Sequence, residues 1–372
     1  MGDGVIKLTN LVNLMNQRGL NGLVIFSNGT CSIVRPSYLY YFSEFKPLGP
    51  NNAVVISNSG DTALLAQPTW DTPRASRESW IRDVRGSSDF LKDVTNLMGE
   101  FKITGPVGLV GTKDMTDDLY RGVHNEINIT LADDIIEDVA RQKTEEDIAI
   151  DRKAAGIADA GFKAFLEYTR TGTLEYELVA HMEFAMRSAG ADDIFILLSS
   201  GKHNTEMHHP GDRRMREGDI VIAEITPVYK WQFIQLCRTV VLGKPSPVLT
   251  EKYNILIRAF EESQKEIRPG SLASMIPITM NKIISDAGYG EYCRPPYMRA
   301  RGHGTGIGPI VAGVALDDNL NATLVSGQVL VVHPNQYLPE TGYLACGETF
   351  LVTDSGTERL SKTETKLYIN EG

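Results

Sequence analysis

From about residue 194 to its end the chain is dominated by strand-forming runs, and this constrains its fold more than any other feature. Apolar, β-branched runs at 194–198, 220–228, 231–242, 329–333 and 347–353 predict strands. Helices are predicted at about 250–266 and 271–287, the first closed by Arg268-Pro-Gly270. Three segments in this region carry polar residues in restricted settings. They are G-D-I-V-I-A-E-I-T-P-V-Y-K-W-Q-F-I-Q-L-C-R-T-V-V-L-G at 218–243, G-H-G-T-G-I-G at 302–308, and G-Q-V-L-V-V-H-P-N-Q-Y followed by G-E-T-F-L-V-T within 327–353. Glu224, Gln235, His303 and His333 are their candidate site residues.

The first 140 residues read differently. Leu8, Leu11, Val12 and Met15 form one helical stripe that Gly19 ends. Residues 22–26 form a short buried strand. Two runs at 52–57 and 61–66 flank Asn-Ser-Gly, a hairpin signal. A helix at 88–98 and a strand at 106–110 follow. This alternation predicts a smaller α/β domain over 1–140 and an α+β domain over 141–372. At the junction Thr144 is suited to cap a long helix reaching about residue 169, and a second helix starts at 173–177 and stops at Gly190.

Composition narrows the partners. Lys and Arg number 37 against 47 Asp and Glu, a net charge of −10, and no basic patch offsets it. An acidic surface disfavours nucleic acid and anionic membranes. No apolar run reaches the length of a membrane span, and the N-terminus lacks a secretory pattern. Cys31, Cys237, Cys293 and Cys346 are scattered without a C-x-x-C, which suits free thiols and a cytoplasmic location.

The order and spacing of the C-terminal segments resemble the pita-bread family of methionine aminopeptidase, Xaa-Pro aminopeptidase, prolidase and creatinase. Supporting markers are K-T-E-E-D at the junction, H-H-P-G-D-R-R-M-R-E-G-D before the strand at 220, and R-T-V at 238–240. The peptidases of that family hold two metal ions with two Asp, one His and two Glu. At those positions this chain has Glu224, Gln235, His303, His333 and Gly347. Two close cations need several anionic oxygens, so the resemblance implies the branch typified by creatinase, with no required cofactor. A one-residue slip would bring in Glu348, and Glu224, His303, His333 and Glu348 could then hold a single divalent metal.

The resemblance also implies roles. His208 matches a histidine that moves protons near the site, a task suited to an imidazole. A later family histidine is replaced by Ile310. Cys237 and Cys346 fall at or beside positions where creatinase carries carboxylates that grip its substrate. Arg299 and Arg301 flank the His303 turn and could pair with a substrate carboxylate. In related dimers the region of Tyr38, Tyr40, Tyr41 and Phe42 reaches the partner's active site; the alternative is a strand packed in its own core. Expected substrate contacts are therefore Gln235, Cys237, Arg301, Cys346, Glu348 and Tyr41. The expected function is metal-independent hydrolysis of a C–N bond in a small polar metabolite by a homodimer, with His208, Glu224, His303 and His333 catalytic. The alternatives are a mononuclear-metal enzyme (a peptidase-like hydrolase or an iron oxygenase) and a non-catalytic binding module.

Overall fold

The structure, a computed structural model, describes residues 2–33, 35, 37–307 and 315–371. Ile310 lies outside the described residues. The chain forms two compact units, Met1–Ala140 and Arg141–Gly372. Among the described residues no helix is long and apolar enough to cross a membrane.

The first unit runs α1 (Asp3–Gln17), β1 (Gly22–Ser27), α2 (Tyr38–Ser43), β2 (Asn52–Ser57), β3 (Thr62–Ala66), α3 (Thr72–Glu78), β4 (Asp83–Gly86), α4 (Phe90–Glu100), β5 (Val107–Val110), α5 (Asp117–Glu126), β6 (Ile129–Leu131) and α6 (Asp133–Arg141). Its strands form one sheet in the order β4-β3-β2-β1-β5-β6. The predicted hairpin is β2–β3, antiparallel, while β1 pairs in parallel with β5. The aromatic run is not a strand. It is the helix α2, whose N-cap Ser37 accepts a hydrogen bond from the Tyr40 amide. Tyr41 is buried within this unit, with the Lys7 ammonium 4.2 Å from its ring centroid.

In the second unit, α7 (Glu145–Tyr168) begins with the predicted cap, strengthened by a reciprocal box between Thr144 and Asp147. Then come α8 (Glu175–Ser188), β7 (Asp193–Gly201), β8 (Ile220–Tyr229), β9 (Gln232–Phe233), β10 (Leu236–Leu242), α9 (Pro247–Gln264) and α10 (Met275–Ile284). The chain continues through β11 (Gly302–Gly304), β12 (Val329–Val332), β13 (Gln336–Leu338), β14 (Gly342–Leu344), β15 (Glu348–Thr353), β16 (Gly356–Arg359) and β17 (Tyr368–Asn370). Two sheets dominate, ordered β17-β10-β8-β7, with β9 beside β8, and β11-β12-β15-β16. A pair of helices followed by antiparallel strands thus occurs twice, an internal repetition that the residues themselves conceal.

The two-residue strand period assigns the faces of β8. Val221, Ala223 and Ile225 pack with Ala158, Phe162 and Met186 of α7 and α8. Ile220 and Ile222 face the other way, among Leu256 and Phe260 of α9 and Val332 of β12. Glu224 and Thr226 continue this second face. The strand predicted over 231–242 is interrupted at Ile234–Gln235, and that break presents the Gln235 side chain.

Candidate active site

Glu224 sits mid-strand on β8, with Leu197 of β7 and Cys237 of β10 as cross-strand neighbours. Gln235 is fixed by Thr349, whose hydroxyl accepts from the Gln235 amide at 3.1 Å and donates to its carbonyl at 2.9 Å. His303 lies on β11 opposite Val331. His333 follows β12, its amide donating to the Arg301 carbonyl at 2.9 Å. Gly302 permits this arrangement, because a Cβ there would fall 2.1 Å from the Val331 carbonyl oxygen. The strand ends therefore converge His303, His333 and Gln235. The imidazole rings stand edge to face with centroids 5.7 Å apart, and His303 Nε2 is 3.1 Å from Gln235 Oε1.

His303 Nδ1 also lies 2.8 Å from the Gly304 carbonyl oxygen. Both ring nitrogens thus face oxygens. The ring satisfies both by donating from each nitrogen, or from Nδ1 alone once the Gln235 amide is turned so that its NH₂ donates to Nε2.

Several polar groups on this floor are left open. The Glu224 carboxyl group has no hydrogen-bond partner among the described residues. The Thr226 hydroxyl, His333 Nδ1 and the Tyr343 hydroxyl are buried and likewise unpartnered among them. Buried polar atoms are nearly always bonded to protein, water or ligand, so this cluster is the mark of a site for something polar. Burial pushes the Glu224 carboxyl up to about 7, against the opposing pull of Arg299. Burial, reinforced by the charge of His303, pushes His333 down to about 3, so it is neutral at physiological pH.

Other expected contacts have partners of their own in the structure. Arg301 is buried, and its guanidinium bonds Asn281 Oδ1 at 2.8 Å, the Asn335 carbonyl at 3.1 Å and Gln336 Oε1 at 2.8 Å. It braces the β11 approach. Glu348 is enclosed by Arg238 at 2.8 Å, Arg359 at 3.0 Å and Ser361 at 2.7 Å, so it can serve neither substrate nor metal without breaking that network. Burial pushes the Cys237 and Cys346 thiols up to about 12, which leaves both protonated and unsuited to nucleophilic attack. Cys237 Sγ instead accepts from the amides of Gln235 and Asn335, each at 3.6 Å. Tyr41 is committed to the core of the first unit. His208 is exposed, with Nδ1 2.7 Å from the His209 carbonyl oxygen. Asn335 and Tyr343 were not anticipated; nothing in their local sequence separates them from loop residues.

Comparison with known proteins agrees with this architecture. Residues 150–354 match the model of metallopeptidase family M24, and residues 7–139 match the creatinase/prolidase N-terminal domain. An Xaa-Pro dipeptidase of Pyrococcus furiosus is 28% identical over 97% of this chain and 99% of its own length. An Xaa-Pro dipeptidase of Pyrococcus horikoshii is 26% identical over 97% and 98%. The crystal structure of the prolidase from P. horikoshii superimposes with a TM-score of 0.84 at 25% identity, covering 96% of this chain and 98% of that one.

The family name implies metal, and the donor chemistry of this chain tests that implication. Glu224 is the one carboxylate on the floor among the described residues. Gln235 is neutral, Gly347 has no side chain, and Glu348 is bound elsewhere. Among the described residues, no three His, Cys, Asp or Glu ligand atoms from this floor lie within 4.8 Å of one another. The set does not fit a pair of divalent cations, which need bridging anionic oxygens. Sequence match and fold together place the chain in metallopeptidase family M24, with a creatinase/prolidase-type first unit and, following it in sequence, a pita-bread second unit.

Proposed function

We propose that this protein hydrolyses a C–N bond in a small polar substrate, using Glu224 for proton transfer and no metal pair. One observation carries the reading. An unpaired carboxylate shares a buried floor with three unpartnered polar atoms and the His303–Gln235 pair. A carboxyl near neutrality exchanges protons at physiological pH, as general acid–base work requires. Glu224 takes a proton from the attacking water and returns it to the leaving nitrogen. Neutral His333 and the Gln235 amide are available to orient the scissile carbonyl. His208, exposed on the segment before β8, exchanges protons with solvent. Proton transfer of this kind contributes roughly 10²–10⁴-fold, so the substrate must carry a good leaving group or a strained amide.

The relatives named Xaa-Pro dipeptidase and the metallopeptidase description favour a second reading, a metal-dependent peptidase acting on Xaa-Pro bonds. One experiment separates the two. Protein purified without chelator is analysed for metal, then assayed on Xaa-Pro dipeptides and on a panel of small amides and amidines, before and after exhaustive chelation. Activity that survives chelation supports the first reading. Activity lost on chelation and restored by one stoichiometric ion establishes the second. Assembly as a homodimer is part of the proposal, and light scattering of the purified chain tests it.

A further inference from the structure

We infer that Cys237 is a positioning residue whose thiol proton holds the Gln235 side-chain amide turned with its nitrogen toward His303. This rests on the reading of Gln235 as a group that orients a carbonyl, and it adds what sets the turn of that amide.

A run of hydrogen-bonding groups crosses the floor. The Cys346 main-chain amide donates to Asn335 Oδ1 at 2.8 Å. Asn335 Nδ2 lies 3.6 Å from Cys237 Sγ. The Gln235 side-chain amide spans the next gap, one end 3.6 Å from that sulfur and the other 3.1 Å from His303 Nε2. His303 Nδ1 closes the run, 2.8 Å from the Gly304 carbonyl oxygen.

Both ends are main chain, and each has one sense. A backbone N–H only donates, so Asn335 receives it on Oδ1 and turns Nδ2 to the sulfur. A backbone carbonyl only accepts, so a neutral His303 carries its proton on Nδ1. Its Nε2 is then an acceptor, which Gln235 meets with a donor only through its own nitrogen. The Gln235 oxygen is left facing Cys237 Sγ, and the S–H donates to it. Every group then donates in one direction, from the Cys346 amide to the Gly304 carbonyl.

The opposite turn of Gln235 fails at two points. Sγ then receives two amide donors, and its own proton has no acceptor among the described residues. His303 must donate from both ring nitrogens, which requires an imidazolium. A half-turn of one amide removes both faults, because amide oxygen and nitrogen exchange places in the same volume. It breaks no other bond of that side chain among the described residues. The Gln235 main chain is clasped separately by the Thr349 hydroxyl. The turned nitrogen carries two protons. One goes to His303, and the second is on the same side for a substrate carbonyl, which an amide oxygen there would repel.

The test is spectroscopic and uses the whole protein without substrate. In protein labelled with ¹⁵N-histidine, nitrogen–proton correlation spectra at neutral pH separate the two neutral tautomers from imidazolium, and His303→Gln identifies the His303 signals. His303 is expected to be neutral, protonated on Nδ1 and bare on Nε2. The infrared S–H stretch is the second readout. The band missing from Cys237→Ala belongs to Cys237 and is expected at the lowered frequency of a donating thiol. In Gln235→Leu, which lacks the acceptor, it should move up to the free-thiol position. The third readout is exchange of the Gln235 side-chain amide protons with water. It should quicken about 10-fold in Cys237→Ala, the scale of one hydrogen bond, and return toward wild type in Cys237→Ser. A His303 proton on Nε2 alone, an imidazolium at neutral pH, a free-thiol band in the wild type, or equal amide exchange in all three proteins overturns the positioning role. The wild-type spectra decide even where Gln235→Leu does not fold. A run in the inferred sense, in a protein that hydrolyses nothing, would leave Cys237 as the positioning residue and remove the catalytic reading.

Discussion

Gly347 lies directly against His333: a Cβ on Gly347 would sit 2.6 Å from the His333 Cβ and 3.2 Å from the Cys237 sulfur. The space that a carboxylate side chain would need at position 347 is filled by its neighbours. Gly347, His333 and Cys237 therefore pack as one unit, in which the neighbours limit what position 347 can carry.

This predicts the outcome of restoring a carboxylate. Gly347→Ala should destabilise the fold by about 1–3 kcal/mol, as overpacking does in a filled interior, and Gly347→Glu by more. Urea denaturation measures both. The triple variant Gln235→Asp, His333→Glu, Gly347→Glu is expected to gain little affinity for manganese, because glutamate at position 333 keeps the Cβ that crowds position 347. Manganese binding by the triple variant at full stability would show that the space is freer than this packing implies.

A second prediction concerns Glu224. Glu224→Gln should lower kcat by at least about 100-fold, the lower end for losing a general acid or base. If Glu224 acts as the base, wild-type kcat/KM rises with pH through an inflection near 7, because burial holds the carboxyl protonated below that. The inflection should vanish in the variant. An unchanged pH profile in Glu224→Gln assigns the proton transfer to another group.

Much of this arrangement was legible in the residues, for identifiable reasons. Thr144 and the strand at 220–229 were readable because capping and apolar runs are local signals. Glu224 and His303 stood out because the segments that carry them resemble the ligand-bearing segments of the pita-bread family. The helix at Tyr38–Ser43 was not readable from apolar pattern, since every one of its residues is buried and no period appears; Ser37 as N-cap was the available cue. Arg299 and Arg301 look alike in sequence, two positions apart. Their division of labour depends on Asn281, Asn335 and Gln336, which arrive from distant segments to enclose Arg301. Gln235 was noticed through the resemblance alone, and the strand break at which it sits follows from long-range pairing with Thr349.

His208 gives a third prediction. Its ring is exposed and, among the described residues, fixed only by the His209 carbonyl, while the preceding Met207 carbonyl holds Arg299. His208→Ala should reduce kcat by at least about 100-fold if the imidazole relays protons, with the fold intact by circular dichroism. Added imidazole should recover part of the rate. His203, whose Nε2 lies 2.9 Å from the Pro339 carbonyl oxygen, serves as the control and its alanine variant should change little. Equal, small effects at both positions remove His208 from the mechanism.

The last prediction lies away from the site. Asp151 on α7 is completely buried, and neither carboxylate oxygen has a hydrogen-bond partner among the described residues. Burial is the main cause that raises its pKa, to about 8, with Lys143 pulling the other way and Asp147 adding to the rise. In the unfolded chain the same carboxyl loses its proton near the ordinary value of about 4. Between these two values the folded state binds more protons than the unfolded state, so stability falls as pH rises. The slope from this group is at most about 1.4 kcal/mol per pH unit. Below the unfolded value the carboxyl is protonated in both states and contributes no slope. Asp151→Asn keeps the shape of the protonated side chain and removes the titration. It should therefore flatten the decline between about pH 4 and 8, and leave the variant more stable than wild type at pH 8. Urea midpoints measured at pH 5, 6.5 and 8 make the comparison. Parallel curves for the two proteins would mean that Asp151 is ionised in the fold throughout, held by a partner it does not have among the described residues.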